Sequence, residues 1–316
     1  MRDQAPDLLT APAAPRQPPP MTPARLTGPE WAAVAVIILI WGVNNAAAEI
    51  ATAVLPPLLV AGLRFALGAL ILGWWLRPPL GDLKPLFAVC LFMGPVHYAL
   101  VYWGFARTED LSPYAVSLQL WIPFTALFSW LMLGERMSGR AAVGLAVAFV
   151  GVAWMSLDAR ALRDLDAILI GVAASAGIAL GTVLARRHQA LPPLKMQACI
   201  SLFSAATLLP AAFAFEPGAA AAMAEAGWLV WATIVWAAVV STVLASGLFL
   251  WLVRRREAAS FTPYFLATPV VSISIGVLLL GDVLTPQIVA GAVLTIAGVG
   301  LVALAERRRP AARASA

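Results

Sequence analysis

The sequence predicts an all-α integral membrane protein of ten transmembrane helices, arranged as two inverted five-helix repeats. Three observations carry that expectation: too little charge for a water-facing surface, apolar blocks of membrane-crossing length, and motifs that recur halfway along the chain. Of the 316 residues, 61% are hydrophobic and 12% charged, whereas a soluble domain carries about 25% charge. Lipid must therefore cover most of the surface. The blocks run from 17 to 26 residues, the length a helix needs to cross roughly 30 Å of hydrocarbon.

Charge and Pro/Gly punctuation divide the chain into ten blocks. The first five are residues 31–50, 58–76, 86–105, 113–133 and 141–157; the second five are 168–185, 196–215, 228–253, 263–280 and 288–305. Each is expected to be helical, because backbone groups in lipid must be satisfied within their own segment. Residues 1–30 hold eight prolines and no apolar run, so they read as a disordered tail without a cleavable signal segment. Four units follow: this tail, a first repeat over 31–157, a second over 158–305, and a basic tail over 306–316.

Seventeen of the 21 Lys and Arg fall on one side of this alternation, from Arg2 through Arg77, Arg140, Lys195 and Arg255 to Arg313. Only Arg107, Arg160 and Arg163 fall on the other, and Arg64 lies inside a span. Positive charge stays on the cytoplasmic side, so both termini are expected there. The net charge of +5 follows from those loops and implies no nucleic-acid partner. Cys90 and Cys199 both lie inside apolar blocks and read as free buried thiols.

The repeat is visible in short motifs. Leu55-Pro56-Pro57 returns as Leu191-Pro192-Pro193, and Ser112-Pro113-Tyr114 as Thr262-Pro263-Tyr264. Gly134-Glu135 returns as Gly281-Asp282, with Gly144 and Gly151 matching Gly291 and Gly298. Five spans per copy is an odd number, so the second copy enters the membrane upside down. Inverted repeats are the architecture of many secondary transporters, since exchanging the two copies' conformations opens each side in turn.

These residues resemble a known family. Trp41-Gly42-x-Asn44, then Pro56-Pro57 and Leu63-Arg64-Phe65, resemble the start of the EamA family of the drug/metabolite transporter superfamily. The stretch from Ala106 through Pro123 to Gly134-Glu135-Arg136, followed by Gly144 and Gly151, resembles it too. Leu118-Gln119 before Phe124-Thr125 is most similar to the bacterial amino-acid and metabolite exporters. The resemblance implies ten helices in a bacterial inner membrane, no ATP-binding domain and no cofactor. It further implies a small-molecule substrate, an amino acid or similar metabolite, with drugs or other organic metabolites as the alternative. The copies differ at one place: Pro123 lies eleven residues before Gly134, and Pro269 twelve before Gly281.

Polar residues at membrane depth are the candidates for function. Trp41, Asn45 and Glu49 are spaced by four on one helical face, with Asn44 beside them. Asparagine amides donate and accept, and so suit both ends of an amino acid; equally, they suit bonds between neighbouring helices. His97 and Tyr98 add a proton acceptor and a hydroxyl in the third span. Pro95, Pro123 and Pro269 are expected to kink their helices, the last two freeing the carbonyls of Gln119 and Phe265. Gln119 and Trp121 then lie at the level of the break, and Tyr264, Thr268 and Ser272 repeat every four residues on the ninth span. Arg64 must find a partner: Glu49, a substrate carboxylate, or backbone carbonyls as a structural anchor. Glu49 and His97 are the candidate proton carriers.

The small residues of the fifth and tenth spans suit close packing and place those spans outside the substrate path. Two histidines in the whole chain argue against a His-based metal site. An intramembrane enzyme would need a clustered nucleophile and base, and a channel would need charge rings or carbonyl filters; neither pattern is present. A monomer or weak homodimer in the bilayer is expected.

Overall fold

The structure, a computed structural model, describes residues 26–78, 80, 82–134, 138–158, 161–187, 191–255 and 262–307. Most of the N-terminal tail, the C-terminal residues after 307, Glu135 and His188 lie outside these. Among the described residues, eight helices are long and apolar enough to cross a membrane. They are α1 (Gly28–Thr52), α2 (Pro57–Leu76), α3 (Leu83–Phe105), α4 (Leu111–Leu133), α6 (Leu165–Arg186), α7 (Pro193–Phe215), α8 (Trp228–Leu252) and α10 (Pro286–Ala305). Two shorter apolar helices, α5 (Gly139–Met155) and α9 (Tyr264–Leu280), complete the set. The expected ten therefore divide into eight of full crossing length and two shorter ones. A further short helix, Ala219–Glu225, links α7 to α8.

Local chemistry explains the ends. Proline opens α1, α2 and α7 within the first turn, where its missing N–H would have had no helical partner anyway. A capping box joins Thr27 and Glu30 at the start of α1, with the Thr27 amide donating to Glu30 at 2.8 Å. Gly134 and Gly281 end α4 and α9 in the left-handed region, at φ of 65° and 86°. That conformation strains any residue with a Cβ, which gives the repeated Gly-Glu and Gly-Asp motifs a backbone reason.

Several helices are irregular at mid-depth. In α3 a π turn runs over Phe92–Val96 around Pro95, with Gly94 outside helical angles. In α8 the π segment is longer, Trp236–Ala245. The α9 helix starts as a 3-10 stretch over Thr262–Ala267 and finishes as a π turn over Gly276–Leu280. The expected kink at Pro123 sits slightly earlier: α4 breaks at Gln119 and Leu120, and Pro123 falls in the first turn of its second part, Trp121–Leu133. The reason is the first-turn tolerance for proline. Pro269 likewise sits in the first turn of Thr268–Ile275.

The helices pack in pairs: α5 on α10, α2 on α7, α3 on α6 and α1 on α8, while α4 meets α6 and α9 meets α1. The largest apolar cluster lies among α2, α3 and α7, around Phe65, Leu59 and Ile200. Leu70, Trp228 and Leu278 are exposed on the outside, as a lipid-facing belt requires.

Candidate functional site

A cavity of about 170 Å³ lies at the centre of the bundle. Its wall takes residues from α1, α2, α3, α4, α6, α7, α8 and α9; α5 and α10 contribute none. From α1 come Trp41, Asn44 and Asn45, one helical turn of the face that the sequence singles out. From α3 come His97, Tyr98 and Tyr102, turned inward beyond the π turn.

Gln119 and Trp121 line the cavity from either side of the break in α4. Pro123 was expected to free the Gln119 carbonyl, but the tight turn satisfies it, with the Ile122 amide donating at 3.2 Å. The corresponding carbonyl in α9, that of Phe265, is satisfied from across the cavity: Gln119 Nε2 donates to it at 3.0 Å. One side chain thus joins the two broken helices. An aromatic floor lies beside this bond, with the Trp41 ring 5.4 Å from both Phe249 and Phe265.

The two asparagines divide their work. Asn45 Nδ2 donates to Ser272 Oγ at 3.0 Å, and Ser272 Oγ donates to the Gly42 carbonyl at 3.2 Å, so this pair ties α1 to α9. Ser272 is buried there, off the cavity wall. Asn44 Oδ1 and Thr268 Oγ1 are buried cavity-lining groups with no hydrogen-bond partner among the described residues. Tyr264 also lies off the wall, its ring 4.4 Å from that of Trp31. His97 is anchored by its Nδ1, 2.8 Å from the Ala174 carbonyl of α6; the Nδ1 proton that this contact requires leaves Nε2 as the ring's other nitrogen.

Arg64 is 2% exposed, and the pairing with Glu49 is not made. Its Nε donates to Thr242 Oγ1 at 2.6 Å, and its terminal nitrogens to the Tyr102 hydroxyl and Ser241 Oγ, each at 3.1 Å. The Tyr98 ring lies under the guanidinium, 4.7 Å away. Ion pairs join Arg107 to Asp166 and Arg163 to Glu109. Glu49 sits instead in the field of Asp282, Asp110 and Asp164, with its Oε2 unpartnered. Of the partners the sequence leaves open for Arg64, neither Glu49 nor a backbone carbonyl is the one taken among the described residues: the rotation of α2 turns the side chain toward the hydroxyls of α8 and α3.

Those other carboxylates close the end of the bundle where α2, α4 and α6 begin. Asp282 accepts from the amides of Leu111 and Ser112 at 3.2 and 2.8 Å, and from the Ser112 hydroxyl. It thereby caps α4 from the loop after α9. Asp164 accepts from the Glu109 and Asp110 amides at 3.0 and 3.1 Å. Glu216 accepts from the Leu58 and Leu59 amides at 2.8 and 3.0 Å, capping α2. Each places a carboxylate on unpaired helix or loop donors. Glu216 is partly buried, and burial raises its carboxyl above the ordinary range while the two amides pull it back.

Thr182, Gln197, Ser241 and Ser246 also line the cavity without having stood out in the sequence. Ser241-Thr242, a polar pair at the centre of an apolar block, was the available signal.

The sequence profile of the EamA-like transporter family matches residues 30–157 and again 165–304. The chain belongs to that family. It is a multi-pass membrane transporter and not an enzyme. Among relatives, it is 26% identical to a "Probable amino-acid metabolite efflux pump" of Salmonella typhimurium, over 89% of this chain and 96% of that one. It is 26% identical to a protein of the same name in Escherichia coli K12, over 83% and 91% of the two chains. An "Uncharacterized transporter" of Archaeoglobus fulgidus is 25% identical over 86% and 98%. A crystal structure 20% identical in sequence shares the fold, with a TM-score of 0.62 over 90% of this chain and 99% of that one.

Proposed function

We propose that the protein exports amino acids or similar small polar metabolites across the inner membrane by alternating access. The observation that carries this reading is the central cavity, walled by eight helices and lined by polar groups that include two without partners among the described residues, Asn44 Oδ1 and Thr268 Oγ1. A cavity of roughly 150 Å³ holds one benzene, so about 170 Å³ suits a molecule of amino-acid size better than a large drug. The printed names of the bacterial relatives point the same way.

Ten spans in two inverted halves, residues 31–157 and 158–305, form part of the same proposal. Its support is an exchange of neighbours: α1 on α8 mirrors α6 on α3, and α9 on α1 mirrors α4 on α6. The α2–α7 and α5–α10 pairs map onto themselves under that exchange. The bias of Lys and Arg puts both termini in the cytoplasm. A monomer, or a weak homodimer, suffices because a single chain closes the cavity. Glu49 and His97 are the proton carriers to test.

The deciding experiment is efflux from proteoliposomes loaded in turn with each labelled amino acid. Saturable flux of at least one is expected. No flux of any amino acid would overturn the reading, and flux without a change in internal pH would remove proton coupling from it. A carboxyl-terminal tag found outside the cell would refute the topology.

A further inference from the structure

Arg64 is a permanent cation held inside the bundle, among the described residues, by neutral groups alone. Three of its five N–H donors go to hydroxyls, and Tyr98 supplies a ring face. The hydroxyls of Ser241 and Thr242 come from adjacent residues of one helix. In a regular α-helix adjacent side chains point about 100° apart; the π segment Trp236–Ala245 lets both reach one guanidinium. Thr242 Oγ1 in turn donates to the Ala237 carbonyl at 2.8 Å, which leaves its lone pairs for Arg64. The cradle orients the charge without neutralising it.

A buried charge without a counter-ion is strongly destabilising, and this one faces the cavity. A planar fork with donors to spare is the geometry that takes a carboxylate through two parallel bonds. Asn44 Oδ1 and Thr268 Oγ1 line the same cavity, buried and without partners among the described residues, and they are acceptors suited to an ammonium group. Resting on the export reading above, we infer that Arg64 is the carboxylate subsite of this transporter. The substrate is an α-amino acid zwitterion, with its carboxylate on the guanidinium N–H groups that these partners leave and its ammonium toward Asn44 and Thr268. Arg64 is then a selectivity residue that admits the acid and rejects its amide or decarboxylated amine.

The test compares, for each amino acid that the reconstituted wild-type protein carries, the acid with its amide and its decarboxylated amine. The acid is expected to be preferred by about 10- to 100-fold in flux at low concentration, the worth of a charge-assisted hydrogen bond. Arg64→Lys, which keeps the charge and loses the fork, is expected to raise KM about tenfold with the maximal rate largely retained. Arg64→Gln is expected to abolish the preference. Because Arg64 also braces α2 against α3 and α8, the wild-type comparison decides the matter if either variant fails to fold. Amides or amines carried as well as the acids would overturn the Arg64 assignment and leave the export reading intact; no amino acid carried at all would overturn both.

Discussion

Between α5 and α10 the backbones touch; around the cavity they are bent and held apart. A methyl group added at Gly144 would lie 2.7 Å from the Gly298 carbonyl, and one at Gly291 would lie 2.8 Å from the Gly151 carbonyl. Neither helix of this seam gives a residue to the central cavity. The wall is built from helices with π turns, 3-10 stretches and a mid-helix break. In lipid there is little hydrophobic drive between helices, so small residues that permit close contact supply the adhesion. Irregular backbone is tolerated only where protein or a cavity satisfies it. The contrast teaches that this bundle separates adhesion from function by helix.

The largest expected effect breaks the seam. Gly298→Leu drives a side chain into the backbone of Ala148 and Gly144, and should destabilise by about 3 kcal/mol or more, seen as lost folded protein in a detergent melting assay. Gly247→Leu in α8 is the matched control. Its new Cβ meets only the tip of Leu194, at 3.3 Å, so a change below about 1 kcal/mol is expected. Equal losses would erase the distinction between seam and wall.

Next is Gln119→Ala, which removes the amide donor from the buried Phe265 carbonyl and should cost about 1–3 kcal/mol together with most of the flux. Unchanged melting and unchanged efflux would mean that this tie is incidental. Asp282→Asn keeps one acceptor for the start of α4 but loses the charge on two amides, for an expected loss of about 1 kcal/mol. The smallest effect concerns Glu216. Its raised carboxyl means that the folded state holds the proton more tightly than the unfolded chain. The stability it contributes is therefore present at low pH and is lost as pH rises through the raised value. Glu216→Gln should flatten that shallow slope just above the usual carboxylate range, as melting temperature against pH would report.

The seam and the spans were legible because lipid allows one solution to each: a long apolar run becomes a helix, and glycines spaced by seven become a contact face. The aromatic and amide residues Trp41, Asn44, His97 and Gln119 were legible because polar groups are rare in such helices. Partner choice was not. The sequence leaves Glu49, a substrate carboxylate and backbone carbonyls all open for Arg64, whereas the π turn of α8 turns two hydroxyls toward Arg64 and leaves Glu49 among the carboxylates of one end. The Gln119 carbonyl looked vacant because proline removes a helical bond, but a sharper turn re-made it. Such outcomes depend on how one helix is rotated against another, which no single helix encodes.

The bond from Gln119 to the Phe265 carbonyl behaves like the pin of a pair of scissors. It joins α4 to α9 where both are already interrupted, so a swing of either arm about it would start from backbone that is already broken. In the proposed alternating-access cycle, the arms beyond the pin would part at one membrane face as they close at the other. The crossing point itself would stay nearly still, beside the molecule being carried.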